Sequence, residues 1–267
     1  MSLDSTLSSV LIGEVSEQPN YGIDSPAIVA TLAALGVVAL SIAYALSSAW
    51  RWAGYVFGTY FLIGAAGMVY YSKIGKLALR ERLLNRVPWR GDEIVLDVGC
   101  GRGLLTVGAA RRLSAGRVVG VDVWNPGAIS GNRCESVLEN AGIEQVSGRV
   151  EVKEGDACSL PFADETFDVV LSNFVVHDLR SRGQREAMMR EVARVLKPGG
   201  NVALVDFIFT EDCVTDLEKY RVKAIRIRDG FLSFWISAIT NFGAVKMYHV
   251  VGTKGRPSSK SDTLQAS

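Results

Sequence analysis

The sequence predicts an α/β fold, in which a mostly parallel sheet carries helices on both faces, preceded by two N-terminal helices that cross a membrane. Short apolar runs alternate with helical patterns from residue 93 onward, as in a sheet with crossover helices. Residues 25–72 hold almost no charge, which contributes to the high apolar fraction of 48%. We therefore expect a membrane segment joined to one enzyme-sized domain.

A transmembrane helical hairpin is predicted over residues 25–72. Residues 25–50 are uncharged and, after Arg51, residues 52–72 are uncharged as well. At about 1.5 Å per residue, each helix would cross a hydrocarbon core of about 30 Å. Tryptophan or tyrosine occupies both ends of the second run, as in the aromatic belts of membrane proteins. Two core helices of a soluble protein would carry a polar stripe that these runs lack, and a cleaved signal peptide would begin with basic residues.

The charges on either side of the hairpin predict its orientation. Residues 1–24 form an acidic N-terminal segment without Lys or Arg, whereas residues 73–91 are basic. The basic side chains are Lys73, Lys76, Arg80, Arg82, Arg86 and Arg90. The positive-inside rule predicts an integral membrane protein whose N-terminus and C-terminal domain are both cytoplasmic. Residues 73–91 fit either an amphipathic linker helix lying on anionic membrane lipids or the first helix of the domain.

Composition and spacing also bear on the partners. Gly54 and Gly58 form a GxxxG pair, a spacing that lets helices approach closely and permits homo- or hetero-association through the hairpin. The net charge of +1 argues against a nucleic-acid partner. Four cysteines without a CxxC pair, together with only two histidines, predict neither a disulfide framework nor a metal site.

The domain is predicted over residues 92–255, and residues 256–267 have the composition of a disordered tail. Predicted strands cover residues 93–98, 117–122, 149–154, 167–172 and 201–207, and two more near 222–227 and 245–251 would close the sheet as a hairpin. The clearest helix covers residues 183–196 and ends at a Lys-Pro-Gly-Gly stop signal. The predicted sheet therefore has seven strands.

A glycine-rich turn, VLDVGCGRG, follows the first predicted strand. It contains Asp97, Gly99, Cys100, Gly101 and Gly103. Glycines suit a turn whose backbone approaches a ligand, because a Cβ would obstruct the approach. A dinucleotide fingerprint requires GxGxxG, and Leu104 occupies the position of its third glycine.

These residues and the motifs that follow resemble the class I S-adenosylmethionine-dependent methyltransferases over about residues 92–254. The resemblance implies a Rossmann-like seven-stranded sheet and S-adenosyl-L-methionine as the cofactor. It assigns the glycine-rich turn to the methionine part of the cofactor and Asp97 to its ammonium group. Asp122, at the end of the second strand, would accept from the two ribose hydroxyls, and Val123 would pack on the adenine.

Further motifs continue the resemblance in order. Asp156 and Ala157, in EGDA, correspond to the adenine-binding segment, in which the acid accepts from the exocyclic amine. The segments LPF, FDVVLSN and REVARVLKPGG then follow at the family's positions. Asn173, at the end of the fourth strand, completes the residues that the resemblance implies for cofactor binding.

His177 is the candidate catalytic base, because it follows the fourth strand, where the family places acceptor-facing residues, and imidazole titrates near neutral pH. The alternative is a surface histidine, with Asp178 capping the next helix. Asn173 is followed by Phe174 and not by Pro-Pro-Tyr, the motif of amide and adenine N-methyltransferases. DNA and glutamine side chains are therefore disfavoured as acceptors.

The hairpin indicates a small lipophilic acceptor, such as a quinone, an isoprenoid or a lipid headgroup, because a tether confines the enzyme to the layer that holds the substrate. Alternatively, the hairpin only localises the enzyme or packs against another membrane protein. An NAD(P)-dependent oxidoreductase and a non-catalytic S-adenosylmethionine-binding membrane protein are the alternative functions. A thiol-dependent metalloid methyltransferase using Cys134, Cys158 and Cys213 would need a spacing that these residues lack.

Overall fold

The computed structural model describes residues 18–46, 48–125, 127–230 and 246–256. Most of the acidic N-terminal segment and nearly all of the predicted tail lie outside these residues. The helices are α1 Pro26–Ala45, α2 Arg51–Tyr70, α3 Lys76–Leu84, α4 Leu104–Ala110, α5 Cys134–Ile143, α6 Arg182–Val195 and α7 Thr210–Lys219. The strands are β1 Ile94–Val98, β2 Arg117–Asp122, β3 Val150–Glu154, β4 Phe167–Asn173, β5 Leu196–Asp206, β6 Val222–Arg228 and β7 Tyr248–Lys254.

The seven strands form one sheet in the order β3-β2-β1-β4-β5-β7-β6. Strands β1 to β5 are parallel, and β7 is antiparallel to both β5 and β6. Alternate strand residues enter two cores: Val95 packs with α3, α4 and α5, whereas Leu96 packs with α6 and α7. The predicted seven-stranded, mostly parallel sheet with helices on both faces is confirmed.

Two strands begin more than one residue away from the start that the sequence predicts. Strand β5 begins at Leu196 instead of residue 201, because Leu196 pairs with Phe167 before the register between β4 and β5 shifts. Strand β7 begins at Tyr248 instead of residue 245, opposite Asp206 at the end of β5. The first residues of β5 and β7 are determined by pairing with residues distant in sequence, and a local apolar run in the sequence does not indicate such pairing.

Helices α1 and α2 form an antiparallel hairpin. Helix α1 ends at Ala45 and α2 begins at Arg51, so the helices lie farther apart along the chain than the two uncharged runs, which only Arg51 separates. Their contact uses small residues: a Cβ on Gly58 would lie 2.7 Å from Leu40 Cγ, and a Cβ on Gly54 would lie 2.7 Å from Ala43 Cβ. The GxxxG pair therefore packs the hairpin against itself. This glycine face is occupied within the chain and is not open to a second chain.

The outward surface of the hairpin is apolar. Helix α1 and the continuous helix Arg51–Leu84, which contains α2, are long and apolar enough to cross a membrane by length and composition. Only 11% and 17% of their most apolar 18-residue stretches are buried. Core helices of a soluble protein would be mostly buried. The exposed side chains include Ile28, Leu35, Val37, Val38, Ile42, Val56, Phe57 and Ile63.

A five-residue π-helical turn, Tyr71–Gly75, joins α2 to α3. Leu79, Leu83 and Leu84 of α3 are almost fully buried in the core of the domain. Lys76 and Arg80 are buried too, each within 3.3 Å of a carboxylate oxygen. Of the two alternatives for residues 73–91, the structure therefore supports the first helix of the domain and not a helix lying on lipid headgroups.

Residues 20–25, here called the N-terminal strap, cross the domain before α1 begins. The Asn140 side chain holds the strap at one end: its Oδ1 accepts from Asn20 N at 2.7 Å, and its Nδ2 donates to Asn20 O at 3.1 Å. At the other end, Ser25 N donates to Ala128 O at 3.0 Å. The last residues of the acidic segment are thus part of the folded domain.

Replacing Asn140 with alanine should destabilise the domain, because it removes the hydrogen bonds to Asn20 and another to Arg102 O from a buried site. We expect a loss of about 2 kcal/mol, or a Tm lower by roughly 4–8 °C, with faster proteolysis near the strap. Thermal unfolding in detergent measures this. Leu138→Ala, at an exposed position of the same helix, is the control and should change the Tm little; equal Tm values for the two variants would contradict the role of Asn140.

Candidate active site

The glycine-rich turn connects β1 to α4 in a backbone conformation that requires glycine. Gly99, Gly101 and Gly103 have φ values of 71°, 54° and 84°. A Cβ on Gly99 would overlap the side chain of Val175, which follows β4. The turn therefore lies tightly against the end of the neighbouring strand, as the sequence predicts for a backbone that approaches a ligand.

Asp97 lies in β1 just before this turn and is almost fully buried. Its Oδ2 accepts from Thr106 Oγ1 at 2.6 Å, whereas its Oδ1 has no hydrogen-bond partner. Burial raises the pKa of Asp97 to about 7. Asn173 Oδ1, at the end of β4, is also buried without a partner, and both residues line one cavity with Gly99. Two unpaired acceptor oxygens in one cavity suit a donor group, above all a cation.

Asp122 ends β2 and faces the same turn. Its Oδ2 accepts from Gly101 N at 2.8 Å, and its Oδ1 accepts from Trp124 N at 2.7 Å. A carboxylate has about four lone-pair positions, so further donors such as hydroxyls can still bind. Val123 is 58% exposed beside it. The structure thus brings Asp122 and the glycine-rich turn into direct contact.

Asp156 and Ala157 follow β3 next to the end of β2, where Gly155 N donates to Asp122 O at 3.1 Å. The Asp156 carboxyl is exposed and accepts from Cys158 N at 2.8 Å. Ala157 is half-buried against the core. Asp122 and Asp156 therefore share the edge of the sheet at which the glycine-rich turn lies.

The four cysteines are free. Cys100 lines the cavity, but its side chain is buried towards Gly120, so it can offer a ligand mainly its backbone. Burial raises the pKa of Cys158 to about 11 and that of Cys213 to about 12, which disfavours reactive thiolates. Within the described part of the chain, no three His, Cys, Asp or Glu side chains are grouped to hold a metal ion.

His177 lies in a short 3₁₀ turn after β4, next to Asp206 at the end of β5. Its Nδ1 is 3.3 Å from Asp206 Oδ2, and its backbone N donates to the same oxygen at 3.2 Å. Burial lowers the pKa of His177, but the hydrogen bond and charge of Asp206, with the charge of Asp178, outweigh burial and leave that pKa raised. Asp178 does not cap α6, because Ser181 does so with a capping box.

An aromatic cluster surrounds His177. Its ring lies 4.5 Å from the Phe207 ring and 6.2 Å from the Phe174 ring, centre to centre. Tyr71, from the turn after α2, lies 6.5 Å from Phe174. The sequence analysis missed Asp206 and Tyr71. An acid ending a predicted strand was the available signal for Asp206, whereas only the packing of α2 on the domain reveals Tyr71.

Comparison with known proteins gives a methyltransferase domain over residues 96–204. A 27-O-demethylrifamycin SV methyltransferase from Amycolatopsis mediterranei is 35% identical over 130 residues, which cover 49% of this chain and 44% of that protein. A demethylmenaquinone methyltransferase from Lactiplantibacillus plantarum is 31% identical over 128 residues, which cover 48% of this chain and 50% of that protein. The chain thus spans about half the length of the curated relatives that it matches.

The fold also resembles that of solved methyltransferases. A solved S-adenosylmethionine-dependent methyltransferase from Methanosarcina mazei has a TM-score of 0.51 at 22% identity, covering 65% of this chain and 98% of that chain. At this identity the likeness shows the fold alone. The domain match and both of these relatives are methyltransferases, which favours that function over the alternative of an NAD(P)-dependent oxidoreductase. Domain match, relatives and fold agree, and together they support a class I S-adenosylmethionine-dependent methyltransferase domain over residues 96–204.

Proposed function

We propose that this protein is a membrane-anchored methyltransferase that moves the methyl group of S-adenosylmethionine to a small lipophilic acceptor. The position of the apolar hairpin carries the proposal. The turn that follows α2 meets the domain near the end of β4, where its Tyr71 lies against Phe174. An acceptor dissolved in the membrane would therefore reach the catalytic edge without crossing water.

The residues present at this edge fit the cofactor. The unpartnered oxygens of Asp97 and Asn173 suit its ammonium group, and Asp122 has lone pairs available for ribose hydroxyls. Exposed Asp156 and Val123 border the place for adenine. When bound, the cofactor supplies an electrophilic methyl group on a sulfonium. The chain contributes alignment and the exclusion of water, to which the aromatic cluster around His177 is suited.

His177 is placed to act as a base where the acceptor must lose a proton. Asp206 lies at Nδ1 and fixes the ring, so Nε2 is the nitrogen that accepts a proton. The carboxylate also stabilises the imidazolium that then forms. This pair supports an acceptor with an acidic O–H or a ring carbon activated by one.

The membrane orientation is part of the proposal. Lys76 and Arg80 are buried in the domain, but Lys73, Arg86 and Arg90 remain exposed on the same side of the hairpin as the domain. These charges favour a cytoplasmic domain and N-terminus.

Protease added to sealed inside-out vesicles should digest the domain, whereas protection of the domain would contradict this topology.

The function is tested by adding radiolabelled S-adenosylmethionine to the full-length protein in vesicles made from membrane extract. We expect label in the organic phase and stoichiometric S-adenosylhomocysteine. Label confined to water-soluble products would contradict a lipophilic acceptor. Cofactor binding without any S-adenosylhomocysteine would instead support a non-catalytic binding protein.

Asp122→Asn should weaken cofactor binding, because a neutral amide replaces the carboxylate that would accept hydrogen bonds from the two ribose hydroxyls. A loss of about 1.5–3 kcal/mol for hydrogen bonds to a charged group corresponds to a Kd raised roughly 10- to 100-fold. Calorimetric titration with S-adenosylhomocysteine measures it. Glu154→Gln, an exposed carboxylate opposite Asp122 on β3, is the matched control; a Kd that does not distinguish the two variants would remove Asp122 from the site.

The rate should rise with pH through the pKa of His177, because only neutral imidazole accepts a proton. Asp206→Asn removes the hydrogen bond and charge that raise this pKa, so the acidic limb of the kcat profile should move to lower pH. The variant should also lower kcat, since it loses the group that orients the ring. Asp178→Asn changes a 62% exposed carboxylate and should move the limb less. An unmoved limb in Asp206→Asn would exclude His177 as the base.

A further inference from the structure

We infer that Lys76 holds the carboxylate of the cofactor's amino-acid end, inside a chamber that the N-terminal strap closes. The inference rests on the proposed function and adds a residue that no methyltransferase motif in the sequence indicates. It assigns this binding role to the helix that continues α2 out of the hairpin. The hairpin and the cofactor site would then be parts of one structure.

The chamber is the cavity with the two unpartnered oxygens. Asp97, Gly99 and Asn173 line one side, and Tyr21 and Asp24 of the strap line it together with Lys76. Its lining thus carries carboxylates and an ammonium in a small space. Such a lining matches a zwitterion, because an amino-acid group presents one cation and one anion to the site. Asp97 and Asn173 account for the cation, which leaves the carboxylate to be matched.

Two cationic side chains line the cavity, and Lys76 is better placed than the other to bind the cofactor carboxylate. Arg102 also lines the cavity, but its guanidinium already donates to the carbonyls of Asn20, Ser130 and Gly131, and it is partly exposed. The Lys76 side chain is only 4% exposed. A buried ammonium beside a cavity binds an anion more strongly than an exposed, committed guanidinium does.

The hydrogen bonds of Lys76 differ in length. Its Nζ donates to Tyr21 O at 2.7 Å and to Gly22 O at 2.9 Å, which hold the strap. The third partner is Asp24, whose carboxylate oxygens lie farther away, at 3.3 and 3.5 Å. Asp24 is also held by Ser72 Oγ at 2.8 Å. The contact between Lys76 and Asp24 is therefore the one that another carboxylate can replace most easily.

The space inside the chamber is about 30 Å³, room for only a few waters. The amino-acid end of the cofactor therefore enters when the strap shifts. Asp24 occupies the anionic position beside Lys76 until then, and Ser72 can retain it as the ligand carboxylate takes its place. Asp24 lies two residues before α1, and Ser72 lies two residues after α2. Movement of the strap is thus tied to the ends of both membrane helices.

The experiment compares two ligands that differ only in the carboxylate, S-adenosylmethionine and its decarboxylated form. Their Kd values are measured by calorimetry on the full-length protein in nanodiscs. Lys76→Gln should raise the Kd of S-adenosylmethionine about tenfold or more and change that of the decarboxylated ligand less than about threefold. Lys76→Arg should keep most of the preference for the carboxylate, and Lys73→Gln, an exposed lysine nearby, should leave both Kd values unchanged.

A purely structural role of Lys76 in holding the strap predicts equal losses for the two ligands, and that result would overturn the inference. Loss of the preference in Arg102→Gln but not in Lys76→Gln would assign the carboxylate to Arg102 and overturn it too. Asp24→Asn supplies an independent measurement if Lys76→Gln does not fold. Removing the competing anion should strengthen binding of S-adenosylmethionine alone, and an unchanged ratio of the two Kd values would count against the inference. If the wild-type protein bound neither ligand, the proposed function would fail with it.

Discussion

The candidate site depends on one constraint: β1, β2, β4 and β5 run parallel and end at the same edge of the sheet. Each of these strands ends with an oxygen-bearing side chain at or one residue before its last position. They are Asp97, Asp122, Asn173 and Asp206. Strand pairing alone therefore assembles these groups, and no long loop is needed to position them. Cofactor and base can thus be held by the most rigid part of the domain.

The same constraint places Asp97 where its charged form is unfavourable. Burial without a partner for Oδ1 disfavours its charged form and raises the pKa of Asp97 to about 7. A pKa raised in the folded state means that this group stabilises the domain in acid, and that the contribution is lost as the pH rises towards 7. A cation bound beside Asp97 would remove that penalty. The buried Asp97 carboxyl therefore favours binding of a positively charged ligand at neutral pH.

Local sequence contained much of this information. The glycine spacing, the acids at strand ends and the family resemblance together predicted that Asp97, Asp122 and Asp156 lie along one edge, because parallel strands end at the same edge of a sheet. The start of β5 and the roles of residues 73–91 could not be predicted. Pairing of Leu196 with Phe167 and burial of α3 are tertiary effects, and a basic helix has the same sequence pattern on a membrane or in a domain.

The π-helical turn explains how one helix serves both parts of the protein. Helix α2 must present Gly54 and Gly58 to α1, whereas α3 must present Leu79 and Lys76 to the domain. An uninterrupted α-helix fixes the angle between those faces, and a π turn changes it by widening the helix locally. Gly75 permits this change, because a Cβ there would lie 2.7 Å from the Tyr71 ring. The hairpin and the domain are thus joined by continuous helical structure, and the turn between them contacts both the aromatic cluster, through Tyr71, and the N-terminal strap, through Ser72.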